Sequence, residues 1–339
     1  MIIPLSLVEC NLHPIESTMD PDDVTKECSV NGESTAWEIE PIVDALRAVR
    51  TQSLNSRNRF DNPTVLPSKK RIEAIIESFS AAMFPHRLSQ RQLQRECVDF
   101  FVGQQLDSAC TSLAEQIRVE LEYSDEATHH SGNFSEESNL RTKAILQQLP
   151  TIRELLDSDI QATYLLDPAA RSQDEVLACY PGILALIHYR IAHAIYLANL
   201  PLIARMITEI AHSKTGIDIH PGAHIDRSFF IDHGTGVVIG ETTIIGQNVR
   251  IHHGVTLGGS SNYTTASAAF GEKQWKVPRH PIVHDNVTIF ADATILGRVR
   301  IGEGAIIGSN VCVTDDVPAF SRVMQAQSTL NSFIEGAGI

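Results

Sequence analysis

The sequence predicts an α+β chain: an all-helical N-terminal domain followed by a left-handed parallel β-helix of hexapeptide repeats. Three observations carry this reading. Apolar residues from Ser68 to about residue 212 recur three and four apart, the spacing of one helix face. From Ile219 on, an aliphatic residue recurs every six positions: Ile219, Ile225 and Ile231, then Ile239, Ile245, Ile251 and Leu257, then Val283, Ile289, Ile295, Ile301, Ile307 and Val313. A small or aliphatic residue often stands four places further on, as at Ala223, Val249, Val255, Val287, Ala293, Val299, Ala305, Val311 and Val317. A period of six belongs to a parallel solenoid, in which each repeat is one short strand and one turn. The aliphatic residue points inward and stacks on its equivalents, because one coil cannot bury its face alone. The run from 283 to 313 keeps phase without a slip, which a sandwich with chance spacing would not do.

The elements follow in order. Residues 1–35 are acidic, carry Pro, Ser and Thr with little apolar pattern, and are expected to form a mobile tail. The helical domain is expected over 36–215. It opens with one short helix in WEIEPIVDALRAVR, then a loop marked by Asn62-Pro63 and Pro67. Ile72, Ile75, Ile76, Phe79 and Met83 share a helix face that Pro85 ends. Leu93, Val98, Phe101, Leu106, Leu113 and Ile117 mark a second, long helix, and 124–137 reads as a polar linker. Further helices are expected at about 138–147, 151–166, 174–199 and 201–212, with Asp167-Pro168 and Pro201 as breaks. The β-helix is expected over 216–318 with a loop at 258–281, and 319–339 reads as a C-terminal tail.

Composition limits the partners. At 339 residues the chain is long enough for two domains and a sizeable core, and its 43% apolar content is ordinary for a globular protein. A formal net charge of −14 argues against nucleic acid as a partner. Cys10, Cys28, Cys97, Cys110, Cys179 and Cys312 form no CxxC pair, so reduced thiols in a cytoplasmic setting are expected. MIIPLSLVEC lacks the basic leader of a secretory signal. The most apolar stretch, 176–210, contains His188, Arg190, His193 and Arg205, which suits buried helices and not a membrane span.

The repeat fails twice, and the failures point to chemistry. Eight residues separate Ile231 from Ile239, so two extra residues must bulge, with Gly234 and Gly236 permitting the bend. The bulge presents Asp232 and His233. Asp218 lies fifteen residues before His233, close to one coil, so it is expected beside it as the carboxylate that orients an imidazole base. The second failure, between Leu257 and Val283, adds about 20 residues to one regular repeat and ends in Arg279-His280-Pro281.

The string TGIDIHPGAHIDRSFFIDHGTGVVIGETTIIGQNVRIHHGVTLGG resembles the serine O-acetyltransferases of the hexapeptide acyltransferase superfamily. DIQATYLLDPAA, YRIAHAIY and RHP extend the resemblance over about residues 155–315. It implies that His233 is the general base and Asp218 its partner, for transfer of acetyl from acetyl-CoA to the hydroxyl of L-serine. It implies substrate contacts at Asp167, Asp232, Glu241, Arg279 and His280. Arg279 suits the serine carboxylate, and Asp167 and Asp232 suit its ammonium. It implies acetyl-CoA contacts at Gly259, Ala291 and Ser309, in a groove between neighbouring solenoids of a homotrimer or dimer of trimers. Lys273 and Lys276 are candidates for CoA phosphates. Cysteine is expected as a feedback inhibitor, and the C-terminal Gly338-Ile339 as an anchor for O-acetylserine sulfhydrylase. No metal is expected. The chain departs from the short family pattern in its long loop with Tyr263 and Trp275, its N-terminal extension, and AFSRVMQAQ at the end of the solenoid.

Three alternatives compete. One is a hexapeptide acyltransferase for another amino acid or a sugar. Another is a γ-carbonic-anhydrase-like metal enzyme, suggested by His220, His224, His252, His253, His280 and His284. The third is a non-catalytic scaffold for the sulfhydrylase.

Overall fold

The structure, a computed structural model, describes residues 39–56, 65–89, 92–125, 133–259 and 277–326. The expected tail at 1–35, most of the loop at 258–281 with Tyr263, Lys273, Trp275 and Lys276, and the end of the chain from 327 lie outside the described residues. Helix α1 (Ile39–Ser56) belongs to a separate compact unit ending at Asp61. Its Ile39, Ile42, Val43, Leu46 and Val49 follow helical spacing and are exposed.

The second unit begins with helices. Ser68 opens α2 (Lys69–Met83) by accepting from the Arg71 N–H, and α3 (Val98–Asp125) follows. Ile72, Ile76 and Phe79 are buried with Leu113 and Ile117 in the shared core. Helix α4 (Phe134–Leu146) starts inside the expected linker, because Asn133 caps it through the Glu136 N–H. Pro168 turns the residue before it extended, and α5 (Leu149–Leu166) stops there, at Asp167. The single helix expected over 174–199 is two, α6 (Gln173–Cys179) and α7 (Pro181–Leu197), parted at Tyr180. Pro181 has no N–H and clashes with a preceding turn, so it begins a helix and does not continue one. Glu120 of α3 accepts from the Leu202 and Ile203 N–H groups at the start of α8 (Pro201–Thr215), and Gly216, at φ 71°, ends that helix.

A three-faced solenoid follows, with every pairing parallel. The first face carries β1 (Asp218–Ile219), β4 (Val238–Ile239), β7 (Thr256–Gly258), β10 (Thr294–Leu296) and β13 (Cys312–Val313). The second carries β2 (His224–Ile225), β5 (Ile244–Ile245), β8 (Ile282–Val283) and β11 (Arg300–Ile301). The third carries β3 (Phe230–Asp232), β6 (Arg250–His252), β9 (Thr288–Ile289), β12 (Ile306–Ile307) and β14 (Arg322–Val323). The repeat-position aliphatics point inward and are buried, each worth about 1.5–3 kcal/mol. The family's left-handed β-helix matches this arrangement. The coil runs past residue 318: Val317 bridges Ile301, and six residues later Val323 pairs with Ile307.

Helix α7 closes the open edge of the first coil. It approaches so closely that a Cβ on Gly182 would lie 2.8 Å from the Ile231 carbonyl oxygen. The Tyr189 hydroxyl donates to the Ala223 carbonyl at 2.7 Å and accepts from the Ile225 N–H. Arg190 donates to the Ile225 and Asp226 carbonyls and forms a buried two-point pair with Asp159, which accepts from the Phe229 N–H. The His193 Nδ1–H donates to the Pro221 carbonyl. With no earlier coil to pair with, these edge groups are satisfied by side chains of the cap.

Candidate active site

The corner between the third and first faces carries His233. Strand register places His233, His253, Ala291 and Ser309 at equivalent corner positions on successive coils. Only at His233 does the chain carry the two extra residues. His233 has φ 58°, and the Gly234 N–H donates to the Asp232 carbonyl at 2.7 Å, which closes a γ-turn of the rare positive-φ kind. Gly234 follows at φ 94°, and a Cβ there would lie 2.5 Å from Ile217 Cδ1. The turn lifts the His233 side chain out to 80% exposure, with Nε2 3.8 Å from Asp232 Oδ1 and its ring 6.0 Å from that of His253.

Asp232 is well held. Its Oδ2 accepts from Arg250 at 2.5 Å and lies 3.2 Å from His252 Nδ1. His252 stacks on Phe290, and burial holds its imidazole pKa below the usual value. Asp167 reaches the same corner from the end of α5. It accepts from Tyr180 at 2.7 Å and from the Ala169 N–H at 2.8 Å. The Tyr180 bond lowers the Asp167 carboxyl pKa, and the same bond pushes the Tyr180 hydroxyl up to about 12. His233 and Arg250 act on the Asp167 charge, and Asp232 acts on Tyr180, so Asp167, Asp232 and His233 share one locality.

The corner between the first and second faces carries the rest. Arg279 donates to Glu241 at 3.0 Å, and Tyr196 donates to the other Glu241 oxygen at 3.1 Å. Thr242 Oγ1 accepts from the Arg279 and His280 N–H groups, and its hydroxyl faces His280 Nδ1 at 2.9 Å. The Thr242 N–H also donates to that Nδ1 at 3.1 Å. Nδ1 is therefore the acceptor, and Nε2 carries the proton. Burial, then Arg279, brings the His280 pKa down to about 4. His220 matches it: Nδ1 accepts from the Gly222 N–H, and burial, then Arg205, brings it down to about 4. Both rings are neutral donors across the physiological range. Arg298 ties the base of this corner by donating to the Thr242 and His280 carbonyls.

Asp218 is on neither corner cluster. The inserted residues lengthen the coil, so its neighbour in register is Val238 and not His233. No hydrogen bond or ion pair joins Asp218 to His233; its carboxylate lies 3.9 Å from Arg205. Asp218, Glu209 and His212 are the one group of potential metal ligands within reach of one another among the described residues, and none of the six histidines considered for zinc belongs to it. Gly259 stands beside Arg279, with an added Cβ 3.3 Å from that side chain. The three residues expected at acetyl-CoA thus occupy two corners of one chain: Gly259 one, Ala291 and Ser309 the other.

Sequence reading missed Tyr180, Arg250, Thr242 and the local role of His252. Tyr180 was hidden in an apparently continuous helix. Arg250 and His252 were legible: counting the two inserted residues into the coil puts His252 directly beside Asp232.

Comparison with known proteins adds lineage to this geometry. Residues 280–315 match the bacterial transferase hexapeptide (six repeats) family model. Over 310 residues the chain is 44% identical to the plasmid serine acetyltransferase of Synechococcus elongatus, covering 90% of this chain and 96% of that protein. It is 46% identical over 170 residues to the serine acetyltransferase of Bacillus subtilis, covering 50% of this chain and 73% of that one. Serine acetyltransferase 1 of Entamoeba histolytica, solved in complex with L-cysteine, superposes with a TM-score of 0.63 at 34% identity, covering 74% of this chain and 86% of that chain.

Proposed function

The chain belongs to the serine acetyltransferase family, and on that premise we propose that it moves acetyl from acetyl-CoA to the hydroxyl of L-serine, giving O-acetylserine and CoA. A serine hydroxyl is a poor nucleophile at neutral pH and needs a positioned base. His233 takes the hydroxyl proton as the oxygen attacks the thioester carbon. When the tetrahedral intermediate collapses, the C–S bond breaks and the imidazolium returns the proton to the CoA thiolate. Asp218 orients the base when the exposed imidazole swings toward the first face, where Asp218 lies. The observation that carries this reading is His233 itself, raised by a strained insertion and placed with Asp167 and Asp232.

The substrate carboxylate suits Arg279 and the His280 Nε2–H, and the ammonium suits the acidic corner. Those groups stand on opposite edges of the first face, which favours a homotrimer in which one protomer's His233 edge meets its neighbour's Arg279 edge. Acetyl-CoA would follow the same seam, along Ala291 and Ser309 of one chain and Gly259 of the next. Mixing inactive H233A and R279A subunits tests this: shared sites restore activity at roughly a quarter of the seams, and sites within one chain restore none. Cysteine fits the serine position with its thiol in place of the hydroxyl. The sulfhydrylase anchor rests on Ile339, outside the described residues, and deletion of Ile339 with unchanged affinity would sink it. A cytoplasmic setting agrees with the absence, among the described residues, of a helix long and apolar enough to cross a membrane.

The deciding experiment is CoA thiol release with L-serine, homoserine and amino sugars, in wild type and H233A. Serine-dependent release lost in H233A is expected. Equal release by H233A overturns the mechanism, and preference for another acceptor overturns the substrate.

A further inference from the structure

The two acidic residues at the His233 corner are partnered in different ways. Asp167 is held by neutral donors alone, the Tyr180 hydroxyl and the Ala169 N–H, so its negative charge is uncompensated. Asp232 is held by a cation: Arg250 donates to its Oδ2 at 2.5 Å, and His252 Nδ1 lies 3.2 Å from the same oxygen. What remains is Oδ1, and the group facing it is His233 Nε2 at 3.8 Å.

The two holders are themselves fixed. The Arg250 guanidinium lies 5.0 Å over the Phe230 ring, and its Nε is buried without a hydrogen bond. Asp232 is its one ion-pair partner among the described residues, and leaving a half-buried guanidinium unpaired is costly. His252 stacks on Phe290 at 4.9 Å and 18°, and its Nε2 is buried without a partner. A bare Nε2 with Nδ1 facing a carboxylate is the arrangement of an Nδ1–H donor. Strand register repeats the point, since Asp232 and His252 are direct neighbours on β3 and β6.

We propose that Arg250 and His252 are positioning residues that turn Asp232 toward the base His233, so that Asp167 takes the serine ammonium. A carboxylate already neutralised by a guanidinium has little left for a second cation, whereas one held by neutral donors keeps its full attraction. The inference rests on the serine acetyltransferase reading for its kinetic arm only.

The test compares serine kinetics and His233 titration in wild type, R250Q, R250K, H252F, H252N, D232N and D167N. H252F keeps the stack on Phe290 and loses the Nδ1–H, and H252N keeps a donor near that place. R250Q and H252F are expected to lower kcat by roughly 10- to 100-fold with little change in the serine KM, as a misplaced catalytic group does. R250K and H252N are expected to recover most of the loss. D167N is expected to raise KM, and D232N to lower kcat. The groups facing Asp232 are Arg250, His252 and His253 from β6 and its turn, His233 beside it, and Asp167 and Tyr180 from the helices. Removing positive charge at Arg250 is therefore expected to move the acid limb of the rate profile to higher pH, which a merely structural loss would not do. NMR reads the same relation without substrate: the imidazole titration missing from H233A is expected to move to lower pH in D232N. A KM effect in R250Q with kcat unchanged overturns the proposal, as does D232N matching D167N in KM or leaving the titration in place. If wild type releases no thiol with serine, the functional reading fails, and the NMR arm still decides this one.

Discussion

The two corners that border the first face are built in opposite ways. At the Arg279 corner almost every polar atom is spoken for: Glu241, Thr242, Arg279 and His280 bind one another, and the rings of His220 and His280 are buried and neutral. At the His233 corner the backbone is strained and the key side chain stands in solvent. The difference separates two tasks. Recognition of a fixed carboxylate gains from donors set in advance, because little ordering is left to do on binding. Proton transfer needs a side chain free to reach the hydroxyl first and the thiolate later.

The comparison breaks most visibly if the exposed side is emptied. H233A is expected to lower kcat by roughly 10²- to 10⁴-fold, measured as CoA release, with thermal stability unchanged. Next comes the fixed side. H280A is expected to cost about 10- to 100-fold in kcat/KM, and H280Q, which offers an N–H near Nε2, to recover most of it. If Gln is no better than Ala, His280 is not acting as a neutral donor. Two glycine substitutions then separate backbone from side-chain control. G234A puts a Cβ where φ is 94° and Ile217 is in contact, and is expected to cost about 1–3 kcal/mol or more in stability along with activity. G240A instead drives a Cβ to 2.0 Å from the His280 ring, and is expected to raise the serine KM by moving that ring.

The smallest effect is on pH. His220 and His280 have pKa values of about 4 in the fold against an ordinary 6.5. Between those values the unfolded chain binds more protons, so stability is full above about pH 6.5 and is lost as pH falls toward 4. The melting temperature is expected to decline over that window, and the H220Q/H280Q pair to flatten the decline.

Much of this was legible in the residues. The period of six placed the inward aliphatics, and its two failures led to Asp232, His233, Arg279 and His280. The structure gathers these on two corners, with Asp167 joining the first. What escaped depended on register and on breaks without a period. Fifteen residues looked like one coil from Asp218 to His233, but the insertion itself lengthens that coil and carries Val238 into the neighbouring place. Tyr180 sat among apolar residues whose spacing read through Pro181, although proline marks the boundary there. Thr242 could not be singled out, because its importance is three hydrogen bonds to residues 37 and 38 positions away.

The cap over the first coil has a consequence for how the molecule is made. Tyr189, Arg190 and His193 leave the ribosome before any strand does, and together they display the donors and acceptors that the first coil requires. That coil forms against a waiting template, and each later coil finds its edge on the one just completed. Assembly thus proceeds like a zip with its starting pin at the N-terminal end. The same pin seals that edge against strand addition by a second chain, so the solenoid is barred from growing end to end into a fibre.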